Sequence, residues 1–183
     1  MLDQYAVFLR AQERPAVRAV RAEIRGLRQD SLIRSLANAQ TALSNLYGTR
    51  EASRVLQAML TGSAAAAFGK VLARRAALTP LDPRSVHRMR VAFKKFRYIV
   101  ELTQPFLPWV DRKHGRAMDE FQTAMGEIQD LEVLAAGLRR FAQRNIPMTA
   151  PLFLPVFRSL ASVRTVRMNA FLHSADHLEI FWR

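Results

Sequence analysis

Residues His87–Glu101 read HRMRVAFKKFRYIVE, with six basic or imidazole side chains set among large apolar ones. On a helix advancing about 100° per residue, His87, Arg90, Lys94, Arg97, Tyr98 and Glu101 fall within one sector of roughly 100°. Val86, Met89, Ala92, Phe93, Phe96, Ile99 and Val100 take the opposite side, and Arg84, Arg88 and Lys95 flank the basic sector. The pattern is that of a helix with one side in a core and a rail of cations on the other. Residues three and four apart sit about 5–6 Å from one another at Cβ, where like charges cost a few tenths of a kcal/mol per pair. Such a rail stabilises nothing alone, and a bound polyanion would remove its repulsion. Glu101 can hold Arg97 one turn back. Tyr98 can offer its hydroxyl, and His87 can donate to a phosphate from the start of the helix.

The rest of the chain carries the same charge. Its 183 residues have a formal net charge of +13, and 24 of its 28 basic residues are Arg. A compact domain holding that much positive charge suits a polyanionic partner: nucleic acid, polyphosphate or an anionic surface. Arg grips phosphate oxygens in pairs through its planar fork, although a genomic bias towards Arg explains the ratio equally well. From Arg84 to Arg116 nine Lys and Arg face two Asp and Glu. Half the residues are hydrophobic, enough for a sizeable core, and there is no cysteine. Disulfides and Cys-ligated metals are thereby excluded, in keeping with a reducing cytoplasm. No run approaches the roughly 20 apolar residues of a membrane span. The start, MLDQYAVFLRAQERP, lacks the basic-then-apolar layout of a signal peptide. The expected setting is the cytoplasm, without membrane attachment.

The periodicity is helical almost throughout, and no period-2 segment bounded by turn residues occurs. This predicts an all-α fold of six or seven helices in antiparallel bundles. Pro15 suits a first helical position, followed by the apolar stripe Val17, Val20, Ile24 and Leu27. Gly48 can close the next stretch and Thr49 can cap the one after. TGSAAAAFG (Thr61–Gly69) reads as a short break and then a small-residue helix. LTPLDPRSV is the clearest boundary, with Asp82 as N-cap and Pro83 in the first turn. It divides the domain, residues 1–183, into an N-terminal half (1–78) and a C-terminal half (79–183). QPFLPWVDRKHG reads as a loop, with DRKHGR as a mobile basic segment. A helix from about Gly115 to Asn145, the connection NIPMTAPLFLP and a last helix complete the chain.

Other candidates are less distinctive. Arg18, Arg21, Arg25 and Arg28 form a second possible rail, with Glu23 and Asp30 nearby, so a solvated face fits as well as a ligand site. Arg139, Arg140 and Arg144 near a helix end complement its dipole. Arg164 and Arg167 could line the same groove as the main rail. His173 and His177 stand at metal-gripping spacing beside Asp176 but lack a third ligand, and no metal or cofactor is expected. Asp130 fits the role of orienting an arginine; Glu127 and Glu132 read as ordinary helix charges. Trp109 and Trp182 read as packing residues. No nucleophilic triad, phosphate-cradling glycine loop or carboxylate pair is present.

The segment VHRMRVAFKKFRYIVEL resembles the signature of the CHAD family, the conserved histidine α-helical domain, through His87, Arg90, Lys94, Lys95, Arg97, Tyr98 and Glu101. MGEIQDLEVL is similar to the family's second segment through Gly126, Gln129 and Asp130, and FLHSADHLEIFWR to its aromatic end. The resemblance runs from about Arg84 to the C-terminus. It implies two packed helical bundles whose basic faces meet in a groove that binds inorganic polyphosphate without catalysis. On that basis His87, Arg90, Lys94, Lys95 and Arg97 would hold phosphate, with Tyr98, Glu101 and Arg88 supporting. One clear signature helix is present where the family has one in each half, so dimerisation could supply the other. The implied setting is cytoplasmic, at polyphosphate granules. A DNA- or RNA-binding helical protein is the alternative that the charge supports equally well. An enzyme acting on phosphoanhydrides would need an acidic metal cluster that the sequence lacks.

Overall fold

Seven residues of the signature helix, Ser85, Val86, Met89, Phe93, Phe96, Val100 and Thr103, are buried, and the fold is organised around them. The computed structural model describes residues 2–47, 50–145 and 150–182. It has six α-helices: α1 (Leu2–Gly26), α2 (Gln29–Tyr47), α3 (Arg50–Ala76), α4 (Pro83–Thr103), α5 (Arg112–Asn145) and α6 (Ala150–Ala175). Short 3-10 turns follow α4 and α6, at Gln104–Phe106 and Leu178–Phe181. No strand occurs among the described residues, so the all-α expectation holds.

The chain forms two compact units, Met1–Leu56 and Gln57–Arg183. This division comes earlier than the 78/79 boundary read from the sequence. The reason is that the second part of α3 belongs to the later unit: Ala64, Ala67, Phe68 and Val71 enter its core. That core also takes Val86, Met89, Phe93, Phe96 and Val100 of α4, Met118, Phe121, Met125 and Ile128 of α5, and Met168 and Phe171 of α6. Phe93 lies at its centre, with ring centroids 5.9 Å from Phe96, 4.6 Å from Phe121 and 5.3 Å from Phe181. Full burial of one such side chain is worth roughly 1.5–3 kcal/mol. Trp109 and Trp182 pack edge to face at 5.5 Å, as packing residues should. In the first unit, by contrast, α1 and α2 leave most of their large apolar side chains exposed.

Local chemistry sets the boundaries. Asp82 has extended backbone and accepts from the Arg84 N–H at 3.0 Å, with Pro83 in the first turn, as read from LTPLDPRSV. Ser85 Oγ fastens the incoming chain by donating to Thr79 O and accepting from Thr79 N. Asp111 caps α5 by accepting from the His114 N–H at 2.7 Å, and this bond holds its carboxyl below the usual carboxylate range. DRKHGR is therefore the capped first turn of a helix and not a mobile loop.

Three other local readings need correction. Pro15 lies inside α1 and does not start it; the helix forgoes one backbone N–H there and continues on both sides. Gly62 does not interrupt α3, since alanines and leucines around it favour helix. α6 begins at Ala150 and runs through Pro155, so the proline-rich connection is shorter than expected. Gly48, Thr49 and residues 146–149 lie outside the described residues. By length and composition α3 is long and apolar enough to cross a membrane, which the composition reading had not registered. It passes because Val55–Gly69 carries no charged residue, and four of its side chains serve the second unit's core.

Candidate anion-binding face on α4

The signature side chains divide between two edges of α4. The edge towards α5 carries His87, Arg90 and Arg97. His87 Nδ1 lies 2.8 Å from Gln129 Oε1. Arg90 Nε stands opposite Gly126, where an added Cβ would come to 3.8 Å. Arg97 bonds Asp119. All three contacts share one antiparallel register, which sets Lys94 level with Gln122. The two segments read separately from the sequence, HRMRVAFKKFRY and GEIQD, thus come together: Gly126 and Gln129 face Arg90 and His87. Gln129 presents its oxygen, so Nδ1 carries the proton and Nε2 is the nitrogen left for a ligand.

Arg97 is more constrained than a ligand-binding arginine needs to be. Its Nε lies 2.8 Å from Glu101 Oε1, with the N–H directed away from that oxygen, and its Nη1 pairs with Asp119. Glu101 plays the anchoring part expected of it, and Asp119 adds a second anchor across the helix pair. Tyr98 packs its ring against Lys94 and Arg97, with cation-to-centroid distances of 5.5 and 5.7 Å.

The opposite edge of α4 faces α3 across an open groove of about 720 Å³, whose cations are Lys70, Arg74, Arg88 and Lys95, with His87 at one end. Ala66 and Ala67 of α3 and Ala92 of α4 line its continuation towards Ile99. These small side chains let Lys70 and Lys95 share one trough. Arg88 is tied to Asp82 at 3.0 Å. Lys70 and Arg74 were missed in the sequence; their spacing of four on a small-residue helix was the available signal.

Ion pairs tie three arginines of the second unit to neighbouring helices or turns. Arg75 pairs with Asp176, Arg164 with Glu132 and Arg167 with Glu127. Glu127 and Glu132, read as ordinary helix charges, therefore hold α6 to α5, and Arg164 and Arg167 are engaged there instead of lining the α4 groove. Asp130, expected to orient an arginine, makes no ion pair among the described residues. Arg139 stacks on Phe157 at 5.8 Å. By contrast Lys70, Arg74, Arg84, Arg90, Lys94 and Lys95 have no carboxylate within ion-pair distance among the described residues. Arg90 Nε and Gln122 Oε1 are also buried without a hydrogen-bond partner.

The second rail, Arg18, Arg21, Arg25 and Arg28, lies on and just after α1 in the first unit and is exposed. His173 and His177 stand with ring centroids 5.6 Å apart, but Asp176 beside them is taken by Arg75. No three His, Cys, Asp or Glu side chains group around a metal position among the described residues.

In comparison with known proteins, the CHAD domain family model matches residues 1–139. It takes in the N-terminal half, which the sequence resemblance had not reached. It stops before α6, so the aromatic end Phe171–Arg183 lies beyond the matched part. Neither the curated proteins nor the solved structures include a match to this chain.

Proposed function

Because the chain belongs to the CHAD domain family, we propose that it binds inorganic polyphosphate on the outward face of α4, without turning it over. The family is associated with polyphosphate binding in general. The observation that carries the reading for this chain is the set of cations on α3 and α4, Lys70, Arg74, Arg84, Arg90, Lys94 and Lys95, that have no carboxylate within ion-pair distance among the described residues. Cations held close without counter-ions repel one another, and a chain of phosphates offsets that cost.

In this reading Arg90, Lys94, Lys95 and His87 Nε2 contact phosphate. Lys70 and Arg74 extend the path onto α3. Arg97, held by Glu101 and Asp119, is a positioning residue that fixes α4 against α5, and Arg88 is held in reserve by Asp82. Affinity then comes from several charge-assisted hydrogen bonds and from release of the counterions condensed on the polyanion. No reacting group is required. The absence of cysteine suits the reducing cytoplasm where the ligand would be met.

The test is titration of fluorescent polyphosphate at two salt concentrations, with duplex DNA as competitor. Tight binding that weakens steeply with salt, resists DNA of matched charge and disappears in Lys94→Glu/Lys95→Glu supports the reading. Displacement by DNA at equal charge would favour the nucleic-acid alternative. Orthophosphate release with Mg²⁺ that is lost in the same variant would show an enzyme instead.

A further inference from the structure

His87 belongs to both edges of α4. Towards α5, its Nδ1 lies 2.8 Å from Gln129 Oε1. Towards α3, it lines the end of the groove whose cations are Lys70, Arg74, Arg88 and Lys95. Ammonium and guanidinium groups keep their charge across the neutral range. Imidazole is the side chain whose ordinary titration falls between about pH 5 and 8. One position in this groove can therefore gain or lose a charge where the others cannot.

Gln129 decides where that charge appears. An amide oxygen accepts from Nδ1–H whether the ring is neutral or charged. The proton gained on acidification then goes to Nε2, the nitrogen left for a ligand. The groups around the ring supply no negative charge to hold it. The α5 partner is a neutral amide, and the α3 residues in the groove are Lys70, Ala73 and Arg74. On α4 itself Arg84 and Arg90 stand three residues to either side, and Asp82 is paired with Arg88. Among the described residues no carboxylate lies within ion-pair distance of His87. A phosphate in the groove is the missing charge. An anion within about 4–6 Å favours the charged imidazole, and a hydrogen bond from that ring to a phosphate oxygen is roughly twice as strong as a neutral one.

We propose that polyphosphate binding is coupled to uptake of a proton on His87 Nε2, with Gln129 as the positioning residue, so that affinity rises as pH falls. This rests on the polyphosphate reading and adds to it a pH dependence that Lys and Arg alone do not give. A ligand that prefers the charged ring draws a proton onto it, and the preference is the same read from either side.

The test is anisotropy titration of long-chain polyphosphate at about pH 5.5 and about pH 8, on either side of the ordinary imidazole value, at fixed ionic strength. The gain in affinity on acidification should be about tenfold larger for the unaltered protein than for His87→Gln. Comparing the two cancels protonation of the polyphosphate ends and of His114, His173 and His177. Calorimetry in two buffers of different ionisation enthalpy should show protons taken up on binding, and fewer in His87→Gln. Gln129→Glu sets a carboxylate against Nδ1 and keeps the ring charged to higher pH, so the pH at which affinity falls should move up. The same pH dependence with and without His87, or an unmoved profile in Gln129→Glu, would overturn the proposal and leave the polyphosphate reading standing. No binding at either pH would overturn both. If His87→Gln loses its helical circular dichroism, the Gln129→Glu profile decides.

Discussion

Helices α2 and α4 are of similar length, 19 and 21 residues, and each has one apolar side, yet they end in opposite circumstances. The apolar side of α4 is enclosed by α3, α5 and the 3-10 turn Leu178–Phe181, and Met89, Phe93 and Phe96 have no exposed surface. Within its own unit the apolar side of α2 is left uncovered. Their polar sides differ as well, crowded with cations on α4 and nearly neutral on α2. The comparison teaches that amphipathic spacing declares a face without saying what covers it, while the charge opposite that face indicates what the helix can meet. A buried apolar side with cations outside holds a rigid anion-facing rail. An open apolar side without charge suits another helix.

The largest effect that would sharpen this contrast is on stability. Phe93→Ala should cost about 3–5 kcal/mol through lost burial and a cavity ringed by other aromatics. Leu36→Ala, at a concentration where the chain is single, should stay within about ±0.5 kcal/mol, as for other surface changes. Urea unfolding followed by circular dichroism measures both, and equal costs would mean that Leu36 is as well packed as Phe93.

Next is ligand affinity. Lys94→Glu/Lys95→Glu should weaken polyphosphate binding by at least about 100-fold, or 2.7 kcal/mol. Arg18→Glu/Arg21→Glu, the same charge change on the α1 rail, should cost less than about tenfold, or 1.4 kcal/mol. Anisotropy titrations at fixed salt compare the two, and similar losses would extend the binding surface onto the first unit.

Smaller effects separate positioning from contact. Arg97→Met removes the link between α4 and the carboxylates Glu101 and Asp119, at a stability cost of about 1 kcal/mol discounted for their exposure. Its affinity loss should remain well below that of the double lysine reversal; if it is larger, Arg97 touches phosphate directly. Asp82→Ala should cost about 1 kcal/mol through the lost N-cap of α4. It also releases Arg88, so its polyphosphate affinity should hold or rise slightly, an outcome that calorimetry can read.

Much of this was legible from spacing. The helical period of Val86, Met89, Phe93, Phe96 and Val100 placed them in the core, and Asp82-Pro83 marked the start of their helix. The signature residues were found at their positions, and Gly126 and Gln129 were noticed without any sign that they would face Arg90 and His87. Asp119 was overlooked as the anchor of Arg97 because it lies on another helix, and no spacing along α4 could reveal it. For the same reason Glu127 and Glu132 looked like surface charges until α6 was seen against α5. Pro15, Gly62 and Pro155 misled because local breaking tendencies of about 1–3 kcal/mol are outweighed in long helices by the residues on either side.

What the sequence determined by itself is local and periodic: the helices, which side of each is apolar, the cap that starts α4, and the placing of cations along one sector of it. Tertiary structure decided which cations remain without carboxylates, since that depends on the residues of neighbouring helices brought within 4 Å. It also decided that α3 ends in the core of the second unit. Periodicity follows from the geometry of one helix, whereas pairing and cover follow from which helices meet, and those meetings join residues far apart in the chain.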